Sequence, residues 1–238
     1  MFTDIHSHVL PGVDDGAQSY EEAVKILEMM AKQNINSLVL TPHFYSTNCS
    51  APKIHKEHIE KAYNEFYPKA KSIIPNILLG HEVHYFSGIS RCEEIKELTI
   101  ANSEYILIEL PMSNFGNDVA DEILALNLNF GLKPILAHIE RYVYADGFEE
   151  ILKLIAENYV KAHINCECVI DKRFRKLALK LIDKRYVSFI ATDTHSLSNR
   201  PPKMQEPFKI ISKKLGETAV SYLQINAYNL YKTIEEKI

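Results

Sequence analysis

Short apolar runs alternate with amphipathic helical stretches along almost the whole chain, and nearly every apolar run ends in a histidine or a carboxylate. Few architectures accept that pattern. A brief apolar run suits a strand buried on both faces and is too short for a helix. Helices between such runs supply the crossover that a parallel neighbour requires. The expected fold is α/β, with right-handed βα units around a parallel sheet. About seven units fit the 238 residues, which favours a closed (β/α)7 barrel and leaves an open sheet as the alternative.

The spacing begins the first helix after Ser19, where Ser19-x-x-Glu22 reads as a capping box and Ala23, Val24, Leu27, Met30 and Ala31 recur on one face. After a first short run ahead of His6, strands are predicted over Asn36 to Thr41, Ile77 to Gly80, Tyr105 to Leu110, Pro134 to Ala137, Val160 to Ile164 and Val187 to Ala191. Helices are predicted over Lys53 to Lys71, Asp118 to Asn129, Phe148 to Asn158, Lys172 to Lys184, Lys203 to Leu215 and Thr218 to Lys232, with a short helix or turn over Glu93 to Leu98. The stretch from Tyr222 to Ile238 reads equally as a packing helix or a contact surface. No repeat, low-complexity linker or composition break interrupts the series, so residues 1–238 are expected to form one domain.

The chemistry-bearing residues fall at the C-terminal ends of these strands. His6 and His8 follow the first run, with Asp15 close behind; His43 follows the second. Glu82, Glu109 and His138 end the next three, and Asp193 and His195 end the last. In a strand, residues two apart point to one side, so His6 and His8 converge. Taken alone, His-x-His with an acidic turn is as well explained by a solvated surface. The recurrence decides: histidines without a shared role scatter over helices, as His55 and His58 do, whereas strand ends of an α/β barrel open on one face. Nine imidazole and carboxylate ligands exceed what one ion takes, so a cluster of about two or three is implied, with Glu82 and Asp193 as bridging carboxylates. Mixed nitrogen and oxygen donors suit Mn, Fe, Zn or Co better than Mg.

Such a cluster makes water nucleophilic near neutral pH and clamps the oxygens of an in-line displacement, which points to phosphoester hydrolysis. Phosphate also calls for guanidinium groups. Arg141 lies three residues after His138, and Arg200 lies in the loop after His195; the alternative for each is a surface ion pair. No cysteine carries an arginine at Cys-x5-Arg spacing, and no Gly-x4-Gly-Lys loop is present. His81-Glu82-Val83-His84 is one residue short of a His-Glu-x-x-His helix and follows a strand. Cys166-Glu167-Cys168 could hold a metal, but no second cysteine pair accompanies it, and buried thiols are the simpler reading.

Composition narrows the class further. A net charge of −4 offers no basic excess for a nucleic acid. No apolar run reaches membrane-spanning length, and Asp4, His6 and His8 break the N-terminus before a signal h-region forms. Cys49, Cys92, Cys166 and Cys168 are irregularly spaced, which is expected of free thiols in a reducing cytoplasm.

Five segments carry a resemblance. They are Asp4-Ile5-His6-Ser7-His8 through Pro11-Gly12-Val13-Asp14-Asp15-Gly16, Thr41-Pro42-His43, Gly80-His81-Glu82, Ala137-His138-Ile139-Glu140-Arg141-Tyr142, and Asp193-Thr194-His195 with Asn199-Arg200-Pro201-Pro202. In this order and spacing the chain resembles the PHP phosphoesterases, and within them the manganese-dependent tyrosine-protein phosphatases of bacterial capsule and exopolysaccharide operons (the CpsB/YwqE type). The resemblance implies a distorted seven-stranded βα barrel holding about three metal ions. It implies His6, His8, Asp15, His43, Glu82, Glu109, His138, Asp193 and His195 as metal ligands, and Arg141 and Arg200 as phosphate-binding residues, with Asp193 counted among the catalytic groups. It implies Mn2+ as the cofactor and the C-terminal tyrosine cluster of a bacterial tyrosine autokinase as the partner. Three features depart from the family pattern: His84, Ile139 and the Cys166-Glu167-Cys168 segment. They leave the ligands in place and bear on substrate choice. A small-molecule phosphatase, such as one acting on histidinol phosphate, would use the same ligands; a catalytically silent PHP binding module is the reading from another class.

Overall fold

The structure, a computed structural model, describes residues 1–46, 51–112 and 115–237. The chain enters as β1 (Phe2–Asp4) and loops to α1 (Tyr20–Lys32). Ser19 caps that helix by accepting the Glu22 N–H at 3.1 Å. The reciprocal half of the capping box is displaced by one residue, because the Glu22 carboxylate accepts from the Gln18 N–H. Next come β2 (Ile35–Leu40), β3 (His43–Phe44), α2 (Pro52–Lys71), β4 (Asn76–Leu79) and β5 (Glu82–His84). Short 3-10 segments between Ile89 and Asn102 lead to β6 (Tyr105–Glu109), α3 (Asn117–Phe130), β7 (Lys133–Leu136) and α4 (Phe148–Ala156). The chain continues through β8 (Lys161–Asn165), α5 (Cys166–Ile170), α6 (Arg175–Asp183), β9 (Phe189–Ala191), α7 (Gln205–Leu215) and α8 (Glu217–Glu235). The predicted elements recur with ends shifted by a few residues, and the helix expected from Lys172 begins at Arg175 after the unpredicted α5.

All strand pairings are parallel. They form two sheets, β1-β2-β4 and β3-β5-β6-β7-β8-β9. The division has a local cause. Pro42 has no N–H to give to a ladder, so β2 stops ahead of it and the chain resumes as β3. The neighbouring line breaks in the same place, between β4 and β5. Bonds from Gly80 N–H to Leu40 O (2.8 Å) and from Glu82 N–H to Pro42 O (3.0 Å) carry the register across the gap. The first and last strand lines also meet. Asp193 N–H donates to His6 O, His8 N–H donates to Thr194 O, and Ser7 and Thr194 form an isolated parallel bridge. Asp4 strengthens this seam by accepting from both the backbone and the hydroxyl of Thr192.

One apolar cluster fills the space between sheets and helices. A second takes alternate residues of the strands: Val39, Leu78, Tyr105 and Leu107, Ile135, and Phe189 and Ala191. Ala227, Leu230, Tyr231 and Ile234 of α8 complete it, so the C-terminal stretch is a packing helix. On β6 the same alternation continues from Leu107 to Glu109, and on β8 from His163 to Asn165. The interior side is thus apolar until the strands reach their C-terminal ends.

The four-thiol expectation does not hold. Cys92 is disulfide-bonded, while Cys166 and Cys168 are free and buried; Cys49 lies outside the described residues. Spacing along the chain does not report which sulfurs a fold brings together. Among the described residues, no helix is long and apolar enough to cross a membrane.

Candidate metal centre

All nine residues expected as ligands meet at the C-terminal ends of the strands. Glu82 is the hub. Its Oε2 lies 3.2 Å from His6 Nε2, 3.2 Å from His8 Nε2 and 3.0 Å from His43 Nδ1, and its Oε1 lies 2.9 Å from His138 Nε2. Glu109 Oε1 stands 3.5 Å from the same His138 nitrogen. Asp193 Oδ1 faces His6, His8 and His195 at 3.6, 3.5 and 3.4 Å. Asp15 Oδ1 lies 3.3 Å from both His43 Nε2 and His195 Nε2. Eight of the nine fall into three overlapping groups: His8, Asp15, His43 and His195; His6, His8 and Asp193; His43, Glu82 and Glu109. His138 stands outside these groups, its Nε2 also facing Arg141 Nη1 at 3.3 Å. His8 and His43 each belong to two groups, as expected of neighbouring sites in a polynuclear centre.

The donors fit divalent cations better than they fit one another. The Nε2 atoms of His6 and His8 face each other at 3.0 Å. His43 Nδ1 and His195 Nε2 are buried and have no hydrogen-bond partner, although carboxylate oxygens stand close by. Lone pairs aimed at a common point, rather than along donor–acceptor lines, are what a shared cation satisfies. Electrostatics agree. Burial opposes ionisation of Asp193 and Glu82, yet the surrounding imidazoles, His6 foremost, hold both carboxyls well below the usual carboxylate range. Burial likewise opposes charge on His8, but Asp14 and Glu82 hold its imidazole up to about 10. His195, stacked on His8 with ring centroids 3.9 Å apart, is pushed down to about 4 by burial and then by that charge. The cluster without metal therefore carries both signs of charge in close quarters.

The two arginines reach the site. Arg141 Nη2 pairs with Asp193 Oδ2 at 3.1 Å, and its Nη1 lies 3.6 Å from Glu109. Arg200 Nη1 reaches Asp193 Oδ2 at 3.3 Å, and its Nη2 lies 3.5 Å from Asp15. Each is about one-third exposed, so both stand at the mouth of the cluster.

Three supporting residues escape the sequence reading. Asp14 Oδ2 lies 2.7 Å from His8 Nδ1 and also accepts the His43 N–H. That contact leaves His8 Nε2 free to face the cluster, the usual task of a carboxylate behind a ligand histidine. His163 Nε2 lies 2.8 Å from His6 Nδ1 and does the same for His6; burial, then His6 and His138, keep its own pKa well below the ordinary histidine value. Asn165 donates to Asp193 Oδ2 at 2.7 Å. The one available signal was parity, since His163 and Asn165 lie two apart at the end of β8. Cys166 and Cys168 stand apart from the centre: each thiol is pushed up by burial, and neither belongs to any of the three donor groups.

The loop that presents Asp14 and Asp15 depends on Gly16. A Cβ there would meet His8 O at 2.0 Å and His8 Cβ at 2.6 Å. Gly16→Ala is expected to cost about 1–3 kcal/mol of stability and to weaken metal binding by displacing His8. Thermal unfolding with metal analysis checks this; an unchanged Tm at full metal content would refute it.

Fold and site together define a parallel α/β protein with a histidine–carboxylate cluster at its strand ends. A family model described as capsular polysaccharide synthesis, CpsB/CapC, matches residues 2–234, and the chain belongs to that family. The tyrosine-protein phosphatase CpsB of Streptococcus agalactiae serotype V is 30% identical over 247 residues, covering 96% of this chain and 98% of its own. The tyrosine-protein phosphatase YwqE of Bacillus subtilis is 25% identical, covering 94% and 89%. A solved structure from a pair described as YwqE of Bacillus subtilis and CpsB of Streptococcus pneumoniae, metal-dependent tyrosine phosphatases, shares the fold with a TM-score of 0.77 at 23% identity, over 97% of this chain and 94% of that one. The histidinol phosphate phosphatase of Lactococcus lactis, solved with zinc, L-histidinol and phosphate, shares the fold more distantly: TM-score 0.52, 18% identity, 92% and 93% coverage.

Proposed function

We propose that this chain is a metal-dependent protein-tyrosine phosphatase that removes phosphate from the C-terminal tyrosine cluster of a bacterial tyrosine autokinase and so regulates capsular or exopolysaccharide synthesis. The observation that carries this reading is the convergence of eight grouped donor side chains, with His138 beside them, and two guanidiniums at the strand ends, in a chain whose relatives are named tyrosine-protein phosphatases. Several finer points belong to it: a single domain over residues 1–238, with the seven strand lines arranged as a distorted barrel; Mn2+ in about two or three sites, in keeping with mixed nitrogen and oxygen donors; and a cytoplasmic setting. Free Cys166 and Cys168 favour a reducing compartment, and the bonded Cys92 runs against it.

His6, His8, Asp15, His43, Glu82, Glu109, His138, Asp193 and His195 would hold the ions. Divalent cations in such a site act as Lewis acids, making water a usable nucleophile near neutral pH and offsetting phosphate charge. The chain's own groups do the rest. Asp14 and His163 fix the orientation of His8 and His6, and Asn165 fixes that of Asp193. Arg141 and Arg200 bind the phosphate oxygens and stabilise the charge that builds on them. The leaving phenolate has a conjugate acid of pKa about 10, so it departs without a strong general acid.

The test is kcat/KM on a phosphotyrosyl peptide and on histidinol phosphate, side by side with manganese-loaded protein. Preference for the peptide is expected, together with loss of activity on chelation and recovery with Mn2+. Preference for histidinol phosphate would make the chain a small-molecule phosphatase instead. Chelation is also expected to lower the Tm, because ions held only by the folded state stabilise it by about 2.7 kcal/mol at a hundred times Kd.

A further inference from the structure

Beside the metal centre lies a cavity of about 690 Å³ that the site described so far does not use. Its lining includes Phe44, Tyr45, Ile54, His55 and His84. Two of these also touch the cluster. The Tyr45 ring lies 4.7 Å, centroid to centroid, from that of His43 with an interplanar angle of 30°, and His84 Nδ1 lies 3.1 Å from Glu109 Oε2. Tyr45 and His84 in turn lie 5.5 Å apart. They form a shared wall, with ligand residues on one side and the cavity on the other. Phe44, which is buried and packs edge-on with His55, supports it from beneath. Tyr45 is 64% exposed and Ile54 69% exposed, so large apolar surface stands open next to a highly charged centre. The wall thus adjoins the cluster through His43 and Glu109, two of its donor residues.

We propose that Tyr45 and His84, with Ile54 at the outer edge, form the subsite for the aromatic ring of the phosphoester and so set a preference for aryl over alkyl phosphates. The proposal rests on the phosphatase reading and adds the residues that read the leaving group. In the reaction a water oxygen bonds to phosphorus, the bond from phosphorus to the aryl oxygen breaks, and the departing phenolate takes up a proton from solvent. The wall contributes by stacking and by excluding water around the ring, which offset-stacked or tilted aromatic contacts do well. The His84 imidazole is tethered to Glu109, which holds a flat ring on the wall beside Tyr45.

The experiment compares binding of benzylphosphonate and methylphosphonate to manganese-loaded protein by calorimetry, in the wild type, Tyr45→Ala and Tyr45→Phe, with metal content measured on each and turnover of a phosphotyrosyl peptide measured in parallel. The wild type should favour benzylphosphonate. Tyr45→Ala should reduce that preference about tenfold, and Tyr45→Phe, which keeps the ring, should retain it. Unchanged preference in Tyr45→Ala would overturn the proposal. So would loss of metal from that variant with both phosphonates weakened alike, because Tyr45 would then serve only to support His43. Aromatic preference in a wild type that turns over no phosphopeptide would refute the phosphatase reading and leave the subsite standing; turnover with equal affinity for the two phosphonates would do the reverse.

Discussion

Asp193→Asn is expected to lower kcat/KM on a phosphotyrosyl peptide by about three orders of magnitude and to remove at least one metal ion per chain. Asparagine is the informative replacement for a backbone reason. Asp193 sits at φ +50°, in the left-handed region that asparagine and aspartate tolerate better than most residues. The amide keeps the shape and the backbone turn, so the loss falls on charge. One Asp193 oxygen faces three imidazoles and the other faces Asn165, Arg141 and Arg200. Replacing an oxygen by NH2 either sets a donor against donor-bearing neighbours or removes a metal-facing lone pair, and both arginines lose a buried counter-charge. Elemental analysis, peptide turnover and thermal unfolding on the same preparation check the outcome. Full activity at full metal content would remove Asp193 from the centre.

Arg141→Ala should lower kcat/KM by about a hundredfold to a thousandfold while leaving metal content intact. The guanidinium lies against Asp193, Glu109 and His138 Nε2 from outside the donor groups, so its removal takes away no donor atom. Lysine should not restore the rate, because a point charge does not reproduce a planar fork across two phosphate oxygens. The competing view makes Arg141 a plain ion pair at the rim. Partly exposed pairs contribute about 0–1 kcal/mol, and on that view the variant would stay within a few-fold of wild type. A measured loss under fivefold would decide for the ion pair.

The convergence of the nine candidate residues was legible because strand ends repeat: every predicted strand but Val160 to Ile164 leads into a candidate, and parallel strands bring their ends to one face. Asp14 was not separable from Asp15. Which of two adjacent carboxylates turns inward depends on the loop between Gly12, at φ +71°, and Gly16, and no periodicity describes that. His163 was hidden by its setting, since a histidine inside an apolar strand carries no motif and gains meaning only when His6 lies 2.8 Å away. The division into two sheets had a visible marker in Pro42, next after the strand predicted over Asn36 to Thr41. The chain instead crosses the proline and pairs again. The bond at Cys92 was beyond reach, because long-range approach of sulfurs leaves no local trace.

Burial of the cluster is graded. His6 and His8 are fully buried, His43 is 10% exposed at its side chain, and Asp15 is 62% exposed. Beneath the buried members lies the apolar filling that α8 completes. Asp15, Arg141 and Arg200 therefore form the exposed side of the cluster, the side on which solvent and small anions meet it. On the proposed reading, inorganic phosphate freed at this face sits where the next phosphoester must bind. If Arg141 and Arg200 bind phosphate as proposed, product and substrate compete for the same two guanidiniums.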